Sequence, residues 1–508
     1  MSENTTATVE TADATAQEGV ETVQTERRRF LSPKEIIAFC LVHFGDRNLQ
    51  EFFNNNMQYF MVQFFKVKPE TYANLSFATG IYDIFDDTIS GLVIDRTRTR
   101  WGRVKPYLLL PLPLLIIATL MVFSAPSFGD TGKAVWTGAS MLLKGLGFSY
   151  FGAWYLILYN NTPNVIERNN LVTSSEFARL FSTWIISFIS VFLDLGKSVG
   201  IPETKVYRGF ALISIAILVS TCVYGFFNMR ERIPLQSREE MNEVGIIESF
   251  KQILKNRPMF VLVLGNFFNS FKSVGSGNEK FFWFNCTGKY SYATIAGIFT
   301  GMPNYITTPM AGKFINKFGA KKTIIGAGLF GFVAYTAMFL IGYHPFGETF
   351  GANPVPNLIY MIIALTICGL PNCFIHVALP CIAGDVYDYS EWKTGVRNEA
   401  LVNTIRGYFE KLGYNVNGWL AGMVLTWIHY VPMTDNLGNG IPSTDAGVLK
   451  GLWIIFALAP AAARLLTALA FFLFNVDGKL KEQMLIELAG CRSIRLKAME
   501  EAEANIEK

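Results

Sequence analysis

The sequence predicts an all-α integral membrane protein with twelve transmembrane helices in two six-helix bundles. Hydrophobic residues make up 51% of the 508 positions, and apolar runs near the ~20 residues that a membrane helix needs recur along the chain. A mean hydropathy of +0.29 is too apolar for an ordinary soluble enzyme. Lys and Arg are concentrated in alternate loops, as in proteins that cross a bilayer repeatedly.

The apolar segments give the order of the elements. They lie at about 34–65, 70–94, 106–126, 134–160, 174–197, 207–228, 258–283, 291–315, 322–343, 356–383, 397–429 and 449–474. A charged stretch at 229–257 interrupts this pattern after the sixth segment. We therefore expect an N-terminal bundle at 33–228, a cytoplasmic linker at 229–257, a C-terminal bundle at 258–475 and cytoplasmic tails at 1–32 and 476–508. The first tail lacks the apolar core of a signal peptide and is predicted to be disordered.

Loop charge predicts the orientation. Arg96, Arg98, Arg100, Arg103 and Lys105 follow the second segment, whereas loops 344–355 and 430–448 contain neither Lys nor Arg. Both termini should therefore lie in the cytoplasm of a multi-pass protein of the cell membrane. A reduced copy of the basic loop follows the eighth segment, which is typical of duplicated bundles that move about a central site.

Three carboxylates mark the second segment as the most informative one. Asp83, Asp86 and Asp87 lie within an apolar helix, where an acid costs roughly 2.5 to 3.5 kcal/mol or more. The spacing of Asp83 and Asp87 places both on one helix face, where they can share one small cation or one proton. We predict a monovalent-cation site here, with Na⁺ or H⁺ as the coupling ion and no other cofactor.

Two charged blocks resemble the glycoside-pentoside-hexuronide:cation symporters of the major facilitator superfamily. The first is DIFDDTISGLVIDRTRTRWGRVKP at 83–106, and the second is GDVYDYSEWKTGVRNE at 384–399. The resemblance covers about 33–475 and implies the major facilitator fold with alternating access. It also implies a cation-coupled importer of a glycoside, an oligosaccharide or a hexuronide. Asp86 stands where the family usually has Asn, which favours proton coupling while leaving Na⁺ open.

Polar residues on other segments are candidates for sugar binding. Arg47, Glu51, Asn54, Asn55 and Gln58 form one stripe on the first segment, which suits a hydroxyl-rich ligand. The resemblance implies a substrate-binding acid in the first helix, for which Asp46 is favoured and Arg47 is the rival, and a central Arg at Arg179. An Arg at that depth needs an acidic partner, and Asp46 and Asp83 are the candidates. The fourth segment lacks the family's second sugar-binding Asp, which argues against a galactoside. The remaining substrate-binding candidates are Trp154, Tyr155, Tyr159, Asn266, Asn269, Lys272 and Lys393.

Charged groups beside the cytoplasmic loops are candidates for a gate. Asp95, Arg96 and Arg103 of the first half could pair with Asp388, Glu391 and Arg397 of the second half. Glu279 and Lys280, on the outer side, are expected to form a solvated pair.

Other functions were weighed against transport of a sugar. No metalloprotease, nucleophile-elbow or phosphate-loop motif occurs, so an enzyme is not expected. The expected partners are a small sugar, a monovalent cation and membrane lipid, with no nucleic acid, and the chain is expected to be a monomer. The alternatives are a lysolipid or amphiphile:Na⁺ symporter of the same extended family and a non-transporting membrane sugar sensor.

Overall fold

The computed structural model describes residues 30–162, 165–232, 256–301, 303–348, 354–394 and 399–488. The helices of the first half are α1 (Pro33–Gln63), α2 (Pro69–Arg96), α3 (Leu112–Val122), α4 (Asp130–Phe151), α5 (Ile157–Asn161), α6 (Val165–Ser187), α7 (Ile189–Ser198) and α8 (Glu203–Asn228), with 3₁₀ turns at Lys105–Leu108 and Gly152–Leu156. Each of the first six predicted segments falls on one of these helices or on a consecutive pair.

The second half repeats this arrangement. Its helices are α9 (Arg257–Ser270), α10 (Lys272–Gly277), α11 (Glu279–Thr287), α12 (Ser291–Gly301), α13 (Pro303–Phe318), α14 (Ala320–Glu348), α15 (Pro354–Gly369), α16 (Pro371–Thr394), α17 (Glu399–Trp427) and α18 (Ala446–Phe472). Strands β1 (Met433–Thr434) and β2 (Gly440–Ile441) pair antiparallel between α17 and α18. A further helix, α19, covers 478–488.

Local sequence explains several helix ends. Ser32 caps α1 in a reciprocal capping box with Glu35, and Pro33 occupies the first helical turn, where its missing N–H costs nothing. Asp445 caps α18 by accepting a hydrogen bond from the amide of Gly447. Gly288 ends α11 with a φ of 70°, a left-handed conformation that glycine adopts without strain.

Among the described residues, six helical segments are long and apolar enough to cross a membrane on composition alone. They coincide with predicted segments three, five, six, nine, ten and twelve. The other predicted segments are also helical, but they carry more polar side chains, as expected of helices that line a central path. The predicted all-α membrane fold is confirmed.

The two halves meet along α2 and α17 and along α7 and α12. Small residues permit the first contact: a Cβ added to Gly422 would lie 2.7 Å from the Cβ of Ala73. Farther along the same pair, Trp419 Nε1 donates to Asn74 Oδ1 at 3.0 Å. We call the end of the molecule where α1 begins the terminal side, and the opposite end, which bears the β1–β2 hairpin, the hairpin side.

Candidate transport site

A cavity of about 320 Å³ lies between α1, α2, α4 and α17. It brings together predicted residues Asn54, Asp83 and Asp87. The other lining residues are Gln50, Phe53, Gly80, Lys144, Gly145, Phe148, Ser149, Lys411, Tyr414 and Asn415. Two of the three predicted carboxylates, Asp83 and Asp87, therefore line one cavity between the helices, as the cation-site prediction requires.

The two cavity carboxylates have different surroundings. Asp87 forms an ion pair with Lys411 and accepts a hydrogen bond of 2.8 Å from Ser149 Oγ. Asp83 Oδ1 is buried and has no hydrogen-bond partner among the described residues. It lies so close to α4 that a Cβ at Gly145 would be 2.2 Å away. The charge of Asp87 is thus neutralised by Lys411 of the other half, whereas Asp83 has an oxygen atom, Oδ1, that accepts no hydrogen bond from the described residues.

Asp86 lies outside the lining of this cavity. The residue is 3% exposed, and its Oδ2 atom is buried without a hydrogen-bond partner in the described part of the chain. One-residue spacing from Asp87 turns its side chain about 100° around the helix. The three acids of α2 therefore do not share one helix face. Asp86 is nevertheless close enough to Asp83 for the two carboxylates to repel each other.

The polar stripe of α1 divides into separate contacts. Arg47 donates to Gln50 at 2.9 Å, and Asn55 donates to Glu51 at 3.3 Å on an exposed part of the helix. Gln58 Nε2 donates to Asn278 Oδ1 of the other half at 3.4 Å. Of the five stripe residues, Asn54 is the one that lines the cavity.

Asp46 and Trp154 are joined in the structure. Trp154 Nε1 donates to Asp46 Oδ2 at 3.2 Å, and Gln50 Nε2 donates to Asp46 Oδ1 at 2.7 Å. Both residues are buried, with exposures of 5% for Asp46 and 1% for Trp154. The Asp46 carboxylate is therefore held by α1 and the 3₁₀ turn that follows α4. Tyr155 packs against Phe39 and the ring of His43, whereas the side chain of Tyr159 lies outside the described ones.

The expected partners of Arg179 were wrong. Its Nε atom pairs with Glu176 Oε2 at 2.6 Å, one turn away on α6, and not with Asp46 or Asp83. Glu176 lies closer along the same helix and is half-exposed, so the pair forms without drawing on an acid of another helix. Glu176 was missed, although an acid three residues before an Arg is a visible helix-pairing pattern.

In the seventh segment, Asn269 and Lys272 lie near a buried cation that the sequence reading missed. Arg464 of α18 is 2% exposed and donates to Asn269 Oδ1 at 3.1 Å and to Asn372 Oδ1. Lys272 is close enough to Arg464 for their charges to interact. Asn266 instead donates to the carbonyl of Leu262 in its own helix.

The predicted gating residues that the structure describes lie on the terminal side. Glu231 accepts hydrogen bonds from the backbone amides of residues 103 to 105, including that of Arg103. Arg96 is exposed at the end of α2, while Asp388 and Glu391 lie on α16. Arg397 and the side chain of Asp95 lie outside the described residues. Lys393 is placed at the end of α16, with its Nζ 3.9 Å from the Trp392 ring centroid, and is not among the residues that line the cavity.

The hairpin side is closed by polar contacts between the halves that the sequence reading did not predict. Tyr290 of the second half bonds to Tyr59 and Glu203 of the first half, with distances of 2.7 and 2.9 Å between side-chain oxygens. The Asp194 carboxylate accepts hydrogen bonds from the amides of Tyr290 and Ser291 at 3.2 and 2.7 Å.

Further contacts complete this closure. Gln63 donates to the Met433 carbonyl at 2.8 Å, and Lys197 donates to the Gly440 carbonyl at 3.0 Å. The expected solvated pair of Glu279 and Lys280 was wrong: Lys280 donates to Asn56 of the other half, and Glu279 accepts from Trp283. Both residues are only half-exposed, and each finds a hydrogen-bond partner within the protein.

The cavity also contains residues that carry charge and were missed. Lys144 stands inside the apolar run SMLLKGLGF, and Lys411 follows Glu410 near the middle of the eleventh segment. A Lys within a membrane segment is itself a signal of function, so Lys144 could have been found. Its relation to Asp83 could not, because it depends on how α2 and α4 pack.

A multi-pass helical protein with two halves, a closed hairpin side and charged groups in an internal cavity belongs to the class of secondary transporters. Residues 49–478 match the family described as MFS/sugar transport protein. The chain belongs to this family, and the resemblance to glycoside-pentoside-hexuronide:cation symporters is confirmed.

Individual relatives and structures agree with this assignment. The chain is 24% identical over 448 residues to the isoprimeverose transporter of Lactiplantibacillus pentosus, covering 85% of this chain and 86% of that one. It is 26% identical over 488 residues to the uncharacterized symporter YjmB of Bacillus subtilis strain 168, covering 91% and 95%. The crystal structure of a D-xylose–proton symporter superposes with a TM-score of 0.56 at 14% identity, covering 88% and 98%. That structure supports the fold.

Proposed function

We propose that this protein imports a glycoside, an oligosaccharide or a hexuronide together with one monovalent cation. The observation that carries the proposal is the internal cavity in which Asp83 and Asp87 face α4 and α17. Relatives named as an isoprimeverose transporter and as a symporter support a sugar substrate and ion coupling. The polar lining of the cavity favours a hydroxyl-rich ligand over an amphiphile.

The proposed orientation and domains follow the charge pattern of the sequence. The terminal side, which carries the basic loop at 96–105, is assigned to the cytoplasm. The halves at 33–228 and 258–475 are the moving units, and the hairpin side is the outer gate. Asp95, Arg96, Arg103, Asp388, Glu391 and Arg397 remain the proposed inner gate.

The substrate path is proposed to run past the cavity and the buried Asp46–Trp154 pair. Arg47 and Arg179 provide guanidinium groups near this pair, and a sugar carboxylate would bind such groups bidentately. Both guanidinium groups are close enough to the His43 ring to interact with it electrostatically, so they lie in one region of the first half. This arrangement favours a hexuronide among the candidate sugars.

The test is uptake by Asp87→Asn in cells that express the full chain. Labelled glycosides, isoprimeverose and methyl glucuronide among them, are offered with imposed Na⁺ or proton gradients. We expect Asp87→Asn to lose gradient-driven accumulation. The matched control is Asp130→Asn, which removes an exposed acid that pairs with Lys68 on the hairpin side. Undiminished accumulation by Asp87→Asn would contradict the proposed site.

A further inference from the structure

The positive and negative side chains that line the cavity are equal in number. Within the described lining, the charged groups are two carboxylates, Asp83 and Asp87, and two ammonium groups, Lys144 and Lys411. Tyr414 also lines the cavity, and its phenol is ordinarily neutral. The formal charges of the four groups cancel, so the cavity does not need a metal ion to be neutral.

Lys411 is the fixed partner of Asp87. The two form an ion pair between α17 and α2, and Ser149 donates to the same carboxylate. An alkali ion that approached Asp87 would have to displace this ammonium group. The second carboxylate is therefore the one that could accept an ion.

Lys144 is the cationic residue of α4 that lines the cavity together with Asp83. It precedes Gly145, whose backbone lies directly on the Asp83 carboxylate. The Nζ atom of Lys144 lies 5.9 Å from the Phe53 ring centroid, inside the cavity. Lys144 and Lys411 are close enough to attract the Asp83 carboxylate electrostatically, and the nearby Asp86 carboxylate repels it. Among the described residues no ion pair within 4.0 Å joins Lys144 to Asp83, and the buried Asp83 Oδ1 has no hydrogen-bond partner, so this oxygen keeps a lone pair for a proton.

We propose that Lys144 is a tethered counter-ion of Asp83 that excludes Na⁺ and Li⁺ from the site, so that the ion carried is a proton. An alkali ion at Asp83 would meet the ammonium groups of Lys144 and Lys411, whereas a proton becomes part of the carboxyl group and needs no further oxygen ligands. Asp86, the third acid of α2, is buried outside the cavity lining and therefore offers no ligand to an ion in the cavity.

This inference rests on the proposed function but can fail independently of it, because ion binding is measured without sugar. Purified full-length chain in nanodiscs is titrated with ²²Na⁺ at constant ionic strength, with choline as the replacement ion. Wild type is expected to show no saturable ²²Na⁺ binding. Lys144→Met should gain saturable binding, with an apparent affinity at least about 100-fold above the detection limit set by wild type, the order of magnitude that loss of one unit charge several ångströms away predicts at an effective dielectric constant of about 20.

Two controls separate charge from folding. Lys133→Met removes a lysine from the same helix at its hairpin-side end and should behave as wild type. Lys144→Arg keeps the charge and should bind no ²²Na⁺, while Lys144→Gln replaces Lys144→Met if the latter is unfolded. Saturable ²²Na⁺ binding by wild type would overturn the proposal, as would folded Lys144→Met and Lys144→Gln proteins that still bind none. Sugar accumulation is measured separately and reports on the proposed function, and accumulation by wild type that a Na⁺ gradient drives and a proton gradient does not would also overturn the proposal.

Discussion

Removing the Asp194 carboxylate should open the hairpin side. This carboxylate belongs to α7 of the first half. It accepts hydrogen bonds of 3.2 and 2.7 Å from two backbone amides at the start of α12 in the second half. It therefore acts as a helix cap supplied by the other half. Loss of a capping side chain costs ~1 kcal/mol, and loss of a charged acceptor costs somewhat more. We take about 2 kcal/mol for Asp194→Ala, which corresponds to an increase of roughly 30-fold in the ratio of open to closed molecules.

Distances between spin labels measure that ratio. Labels at Val199 and Leu437 occupy exposed positions on the hairpin side of the two halves, in a background without the native cysteines. Wild type should give a short distance, and Asp194→Ala should add a longer population. Asp130→Asn is the control, because Asp130 pairs with Lys68 of its own half and the Lys68 ammonium holds the pKa of Asp130 below its usual range. An unchanged distance distribution in Asp194→Ala would refute the reasoning.

Three further substitutions test the packing of the site. Gly145→Ala should abolish or strongly reduce transport, since its Cβ would lie 2.2 Å from the Asp83 carboxylate, whereas Gly152→Ala meets nothing within 4 Å and should transport normally. Arg464→Met should lower the melting temperature in detergent, because two half-buried amide oxygens lose their donor, at about 1 kcal/mol each. Equal melting temperatures would count against a structural role. Trp154→Phe keeps an aromatic side chain but removes the N–H that donates to the buried Asp46 carboxylate. The transport rate should fall by at least about tenfold, which corresponds to one hydrogen bond to a charged group.

The fold could be predicted because membrane insertion depends on local composition. The apolar segments and the charged stretch at 229–257 are properties of short windows, and each predicted segment is helical in the structure. The interruptions within segments were not predicted. The break at Phe271, for example, falls in the stretch NFFNSFKSVGSG at 266–277, where polar residues and glycines are spread along the sequence and do not mark a single position.

The site was predicted in part for the same reason. The spacing of Asp83 and Asp87 within one helix places them together, and the structure puts both in the cavity. Their cations come from α4 and α17, so the match depends on interhelical packing that no local pattern encodes. The same holds for the Asp194 and Glu203 contacts, which join positions about 90 residues apart or more.

The cavity and the interface between the halves coincide at Asp87. Its ion pair with Lys411 joins α2 to α17, the same helix pair along which Gly422 and Ala73 make close contact. Lys411 is also close enough to Asp83 for their charges to interact. A ligand shifts a conformational equilibrium only through its different affinity for the two states, and a proton bound at Asp83, as proposed, would do so by changing the field at the Asp87–Lys411 ion pair. Because the closed hairpin side is stabilised by its own set of hydrogen bonds, we expect that weakening the α2–α17 ion pair alone does not open it and that substrate contributes the remainder.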